Sequence, residues 1–247
     1  MFGKRSESGR GTAAQDVALF PEASLQLYTV NSESIYSFPH DLVQSMRHML
    51  TKLNREQKLP KKISVVSALR QEGVSLMSLA MAAIMANDLS RNVCLVDLNW
   101  WWPSDDMRQM TSHSPGILPL LHGEVKLETA LVRTNHPHFT ILPAGSLPVL
   151  QRPVIARGPA LQRVVEELSE TFDHLIFDVP AILTTSDAIP LASLGDACCV
   201  VVHQGISTRA VVRQALGEIN HLPMLGVLMN RVRVSTPNWL LKWIPQE

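Results

Sequence analysis

ISVVSALRQEGVSLMSLAMAAIMA, residues 63–86, is the stretch that decides the fold. Its first five residues, Ile63 to Ser67, are apolar or small with little alternation, which is how a strand buried on both faces of a sheet reads. From Glu72 to Asp88 the chain carries no charge and no proline in between, so the segment 75–89 predicts a helix enclosed on every side. The run contains Ser75 and Ser78 and is shorter than the roughly 20 residues that a bilayer-spanning helix needs. Between strand and helix lie Arg70, Gln71, Glu72, Gly73, Val74 and Ser75, in the place where a phosphate-cradling loop sits in strand-loop-helix nucleotide sites.

Working outward, runs of the same strand type recur at 92–97, 139–142, 174–178, 197–202 and 226–229. Helical patterns at 159–170 and 207–219 separate most of them, and 39–53 places Leu42, Met46, Met49, Leu50 and Leu53 at three- and four-residue spacing. Repeated strand and helix predict an α/β fold, a mostly parallel sheet with helices on both faces. Residues 1–35, rich in Ser, Gly and Glu, read as a flexible N-terminal arm, 36–234 as one domain, and 235–247 as a tail containing Trp239 and Trp243.

Composition narrows the function classes. The 247 residues are 46% hydrophobic and 18% charged, a balance that buries a core and excludes disorder of the whole chain. With 22 Lys and Arg against 22 Asp and Glu there is no positive excess to hold a phosphate backbone, so nucleic acid is not expected as a partner. Met1 to Ala14 lacks the apolar stretch of a signal peptide, and a cytoplasmic location is expected. Cys94, Cys198 and Cys199 lie in strand-like runs and read as small buried hydrophobes. The nine histidines show no metal-ligand spacing; His136 and His138 flank Pro137 in a turn before a strand.

In a parallel sheet, ligands bind at the carboxyl ends of the strands. Three segments qualify here: 67–75, 97–103 and 178–180. The last two begin with a carboxylate, Asp97 and Asp178, where a Mg²⁺ or an attacking group is positioned in such sites.

These segments resemble the deviant P-loop ATPases related to partition and cell-division-site proteins, and more closely the bacterial tyrosine kinases of capsule and exopolysaccharide synthesis. The family's phosphate loop, Ser-Ala-x-Pro-Gly-Glu-Gly-Lys-Ser-Thr, is matched by Ser67, Ala68, Glu72, Gly73 and Ser75. Arg70 stands for its Pro, Gln71 for its Gly, Val74 for its phosphate-binding Lys and Leu76 for its Thr. The acidic motif Asp-x-Asp-x-Arg-x-Pro appears with Asp97 and Pro103 kept, Asn99 replacing the second Asp and Trp101 the Arg. Asp178, Val179 and Pro180 match the start of a third motif, Asp-Thr-Pro-Pro. Asn230 occupies the position that helps seat the adenine in the family. The likeness covers roughly residues 40 to 234.

The resemblance implies a vestigial nucleotide site at Glu72, Gly73, Val74, Ser75 and Asn230, with Ser75, Asp97 and Asp178 as the candidate Mg²⁺ positions. Val74 supplies neither charge nor hydrogen bond to a phosphate, and Asn99 carries no negative charge. The blander reading of the same residues makes Ser75 a helix N-cap and Asn230 a strand-end turn residue. Kinases of the family autophosphorylate a tyrosine-rich tail, whereas this sequence has only Tyr28 and Tyr36.

Our expectation is a catalytically impaired, pseudokinase-like binding or regulatory module in exopolysaccharide synthesis and export, with no ATP or Mg²⁺ as cofactor. Its expected partner is the cytoplasmic part of a membrane chain-length regulator or an active paralogue, with membrane contact through that partner. The alternatives are an active kinase or ATPase in which a substitute cation such as Arg70 replaces the lysine, and a partition-type positioning protein. Interaction surfaces are expected at Trp100, Trp101 and Trp102, at Trp239 and Trp243, and at Asp41 and Arg47, which fall on the family's subunit-joining Glu-x-x-Arg-x-x-Arg pattern with one arginine lost.

Overall fold

The computed structural model describes residues 25–29 and 35–232. In chain order the elements are β1 (Gln26–Leu27), β2 (Tyr36–Ser37), α1 (His40–Arg55), β3 (Lys62–Ser67), α2 (Val74–Asp88), β4 (Val93–Asp97), α3 (Asp105–Met110), α4 (Ile117–Leu121), α5 (Leu127–Ala130), β5 (Val132–Arg133), β6 (Phe139–Leu142), α6 (Arg152–Arg157), α7 (Pro159–Thr171), β7 (His174–Asp178), α8 (Ala188–Ala192), β8 (Ala197–His203), α9 (Arg209–Glu218) and β9 (Met224–Asn230).

Seven strands form one sheet in the order β5-β6-β4-β7-β3-β8-β9. Every pairing is parallel except β5 with β6 at one edge. The mostly parallel sheet read from the sequence is therefore present, and the antiparallel edge strand is an addition to it. Because side chains alternate along a strand, each central strand feeds two cores. Val66, Val96, Phe177 and Val200 enter one cluster with α7 and α9; Val65, Leu95, Ile176 and Val201 enter the other with α1 and α2.

Helix α2 buries eleven residues, from Val74 to Ala86, because the sheet lies beneath it and α1 covers it from above. An amphipathic helix suffices for α1, which turns Val43, Met46 and Leu50 inward. Stacking α1 on α2 therefore explains why one helix is apolar all round and its neighbour only on a stripe.

Part of the segment read as an arm packs on this domain. Leu25 and Leu27 are buried, β1 pairs antiparallel with β2, and the Thr29 hydroxyl donates to Met110 O at 2.7 Å. All three cysteines are free and buried, and burial pushes their thiols up. No helix among the described residues is long and apolar enough to cross a membrane.

Candidate functional site

Strand β3 sits near the middle of the sheet, and the chain leaves it at Ser67 to enter α2 at Val74. The turn requires a left-handed residue at its end: Gly73 is the helix N-cap with φ +98°. Ser75 is thus not the N-cap that the blander reading made it. It lies in the first turn, where its hydroxyl faces the Asp178 carboxyl and favours the charged form of that group.

Glu72 and Asn230 tie the loop to the far strands. The Glu72 carboxylate, fully buried, accepts from Leu69 N at 2.8 Å and from His203 N at 3.2 Å. Asn230, the last residue of β9, donates its Nδ2 to Glu72 O at 2.8 Å. It is therefore more than a turn residue, since it locks the loop from the opposite side. A Cβ on Gly73 would lie 2.2 Å from that Nδ2, so the position excludes side chains both by backbone angle and by space. Gly73→Ala is expected to lower stability by about 1 kcal/mol or more in urea denaturation, because neither strain nor contact can relax without breaking the Asn230 bond.

Asp97 ends β4 and Asp178 ends β7, and the two residues are in register across the parallel pair. Both are buried, 4% and 1% exposed. Asp97 Oδ1 accepts from Asn99 N at 2.9 Å, while Asp178 Oδ1 has no hydrogen-bond partner among the described residues. Burial pushes the Asp97 carboxyl up to about 6 against the hydrogen bonds from Asn99 and Ala144. Burial, followed by the nearby Asp97 charge, raises Asp178 well above the usual carboxylate range, with the Ser75 hydroxyl opposing. Two adjacent carboxylates with little water around them cannot both ionise cheaply at neutral pH.

A cavity of about 310 Å³ opens at the loop. It is lined by Arg70, Gln71, Gly73, Val74 and Ser75 from the loop, by Asn99, Trp102 and Asp106 from the segment after β4, and by Tyr36. Sequence reasoning missed Tyr36 and Asp106. Both reach the cavity from segments outside the three strand ends, and no local pattern marks them. Arg70 is the one cation among the described lining residues, and its guanidinium lies over the Trp102 ring, 4.4 Å from the centroid.

The three tryptophans read together as an interaction surface separate in space. Trp100, 2% exposed, is part of the core and out of a partner's reach in this arrangement. Trp101 donates its Nε1 to the buried Asp187 at 3.0 Å and carries the Arg152 guanidinium over its ring. Asp187 also accepts from Arg157 at 2.7 Å, so the segment after β4 is fastened to α6 and α8. Only Trp102 faces the cavity. On α1, Asp41 is exposed, whereas Arg47 is held within the chain by Asp88, at 2.6 and 3.3 Å. Trp239 and Trp243 lie outside the described residues. Among the described residues no group of three or more His, Cys, Asp and Glu could hold a metal ion.

No protein-family model matches the chain. It is 29% identical over 179 residues to the succinoglycan biosynthesis transport protein ExoP of Rhizobium meliloti, covering 70% of this chain but only 22% of that protein. To the tyrosine-protein kinase YwqD of Bacillus subtilis it is 24% identical over 178 residues, 71% of this chain and 74% of the relative. Among solved structures, the kinase domain of the Escherichia coli tyrosine kinase ETK superposes with a TM-score of 0.67 at 17% identity, covering 78% of each chain. The Pyrococcus furiosus cell division ATPase MinD superposes at 0.58 with 20% identity, covering 76% of this chain and 81% of its own. The P-loop NTPase-like sheet, the phosphate-loop position after β3 and these sequence relatives agree: the chain is a homologue of the bacterial tyrosine-protein kinases of exopolysaccharide synthesis.

Proposed function

We propose that this chain is a binding and regulatory module of an exopolysaccharide synthesis and export system that carries out no nucleotide chemistry of its own. The observation that carries the reading is the phosphate loop. At its helix start stands Val74, 8% exposed, offering methyl groups where a phosphate needs a cation. The one lining cation, Arg70, is stacked on Trp102. Behind the loop, Asp97 and Asp178 lie buried side by side at the ends of β4 and β7, and Asn99 stands where the resembled family has its second acidic residue. With no cation at the loop's helix start and one acidic position lost, the loop suits a triphosphate poorly, and on this reading ATP and Mg²⁺ are not expected as cofactors.

Its partner, on this reading, is the cytoplasmic part of a membrane chain-length regulator or an active paralogue, and membrane contact comes through that partner. The second reading, an active kinase with Arg70 as the substitute cation, is favoured by the fact that Arg70 lines the same cavity as Val74 and Ser75. A partition-type positioning protein has only the MinD-like fold in its favour.

Complementation separates these readings. Deleting the gene is expected to change the yield or length distribution of the polymer, measured by size-exclusion chromatography. A chain carrying Asp178→Asn should restore it as fully as the native chain does. Restoration by the native chain alone would show that the carboxylate is used and would favour the active-kinase reading.

A further inference from the structure

Helix α6 and the 3-10 turn before it, Val149–Gln151, carry large apolar side chains on their outer side. Leu147 and Ala156 are buried and anchor the segment, while Leu150, Val154 and Val149 are 91%, 72% and 57% exposed. Aliphatic side chains grouped this way are more than the scattered apolar residues that any surface carries. The charge around them has one sign. From Pro143 to Val165 the chain holds Arg152, Arg157 and Arg163 and no acidic residue. Arg157 is neutralised by the buried Asp187. Arg152 instead lies over the Trp101 ring, 4.7 Å from its centroid, as Arg70 lies over Trp102, and the two indoles adjoin at 6.2 Å. Cation, ring, ring and cation thus form one row from α6 to the phosphate loop, and neither cation has a carboxylate partner among the described residues. Of the two acids at the start of α3, Asp105 pairs with Arg108 and Asp106 lines the cavity.

We propose that this surface, Val149, Leu150 and Val154 with Arg152 beside them, docks on an anionic lipid membrane. Charge complementarity selects the occupant. An uncharged apolar partner would strip water from the Arg152 guanidinium and return no counter-charge. A bilayer containing anionic lipid supplies both halves in one layer: the acyl boundary takes the aliphatic side chains, and headgroup phosphates meet the guanidinium in its planar donor geometry. Trp101 and Trp102, half-buried beside the arginines, match the depth at which indoles are favoured in a membrane interface. The contact is direct, in addition to any made through a protein partner, and it stands whether or not the loop binds nucleotide.

Vesicle flotation of the full chain tests it, with phosphatidylcholine alone and phosphatidylcholine mixed with phosphatidylglycerol as the two surfaces. The native chain is expected to float with the anionic vesicles only and to be released by salt. Leu150→Ser combined with Val154→Ser should weaken binding on the order of tenfold, and Arg152→Gln about fivefold, with circular dichroism confirming that each variant is folded. Place is read separately from affinity. Because the three native cysteines are free and buried, a polarity-sensitive dye on Leu150→Cys reports this turn, and its emission should shift to the blue on anionic vesicles. Absence of binding to anionic vesicles would overturn the assignment, as would equal binding to uncharged ones. Binding that survives the Leu150 and Val154 changes without moving the dye would put the lipid contact elsewhere on the chain, and a blue shift that needs only a higher protein concentration would make the surface an interface between copies; either outcome also overturns it.

Discussion

Val74→Lys is expected to leave the chain without detectable ATP turnover, even though it returns the charge that a phosphate loop ordinarily uses. Val74 borders the cavity at the first residue of α2, so a lysine there can extend toward a phosphate and strengthen binding. Rate is another matter, since each preorganised donor missing from a transition state commonly costs roughly 10² to 10³. Asn99 stands at the second acidic position, Gln71 holds a left-handed φ of +65° with a side chain where the loop would be bare, and Arg70 remains stacked on Trp102. The substitution also removes an aliphatic group from the cluster beneath α1 and leaves a buried ammonium to be solvated, so stability should fall by about 1–3 kcal/mol. Phosphate release and urea denaturation check the two halves. Turnover restored by this one change would show that the rest of the site is intact.

Asp97→Asn is expected to stabilise the fold above neutral pH and to do nothing at pH 4. The folded Asp97 carboxyl is raised from 3.8 to about 6. As pH rises from about 4, the unfolded chain loses this proton first, so the folded state holds more protons and stability falls until pH passes about 6. Two units correspond to about 3 kcal/mol, which is the ceiling of the gain when an uncharged amide takes the position. Asparagine keeps an oxygen for the Asn99 N–H, so the local turn survives. Asp178, raised by burial and by the Asp97 charge, extends the same downward slope to higher pH, and loss of that charge relaxes it as well. Thermal melts of both chains from pH 4 to pH 8 should coincide at the acid end and separate upward. A variant less stable at pH 8 would mean that the ionised carboxylate is an asset to the fold.

The strands of the sheet were legible because a strand buried on both faces is an unbroken apolar run, and all six runs read from the sequence lie within two residues of their observed limits. The largest offset is at 226–229, whose strand begins two residues earlier at Met224. Helix α2 was equally plain, since an uncharged run between Glu72 and Asp88 has no other stable place than under a second helix. The short helices α3 to α6 and α8 were not read, because four to six residues give too little periodicity. Leu25 and Leu27 sat unnoticed within a polar segment, their burial depending on a pairing with Tyr36 and Ser37 that no local pattern announces.

The site was legible in part. Motif spacing gave Asp97, Asp178 and the loop, and the structure brings their strand ends together. What spacing could not give was partner choice. Three consecutive tryptophans look alike in sequence, yet one enters the core, one meets Asp187 and one meets Arg70, because successive side chains of a turn point in different directions. Likewise a serine near a helix start suggests a cap, and only the left-handed angle at Gly73 reveals that the cap comes two residues earlier.

The central claim is that the phosphate loop no longer handles a nucleotide, and equilibrium titration of the purified native chain with ATP and Mg²⁺, paired with a phosphate-release assay on the same sample, tests it most directly. The account predicts an affinity weaker than about 1 mM, a binding free energy smaller in magnitude than about 4 kcal/mol, and release indistinguishable from a blank. Mg²⁺-dependent hydrolysis by the native chain, abolished by Asp178→Ala, would contradict it.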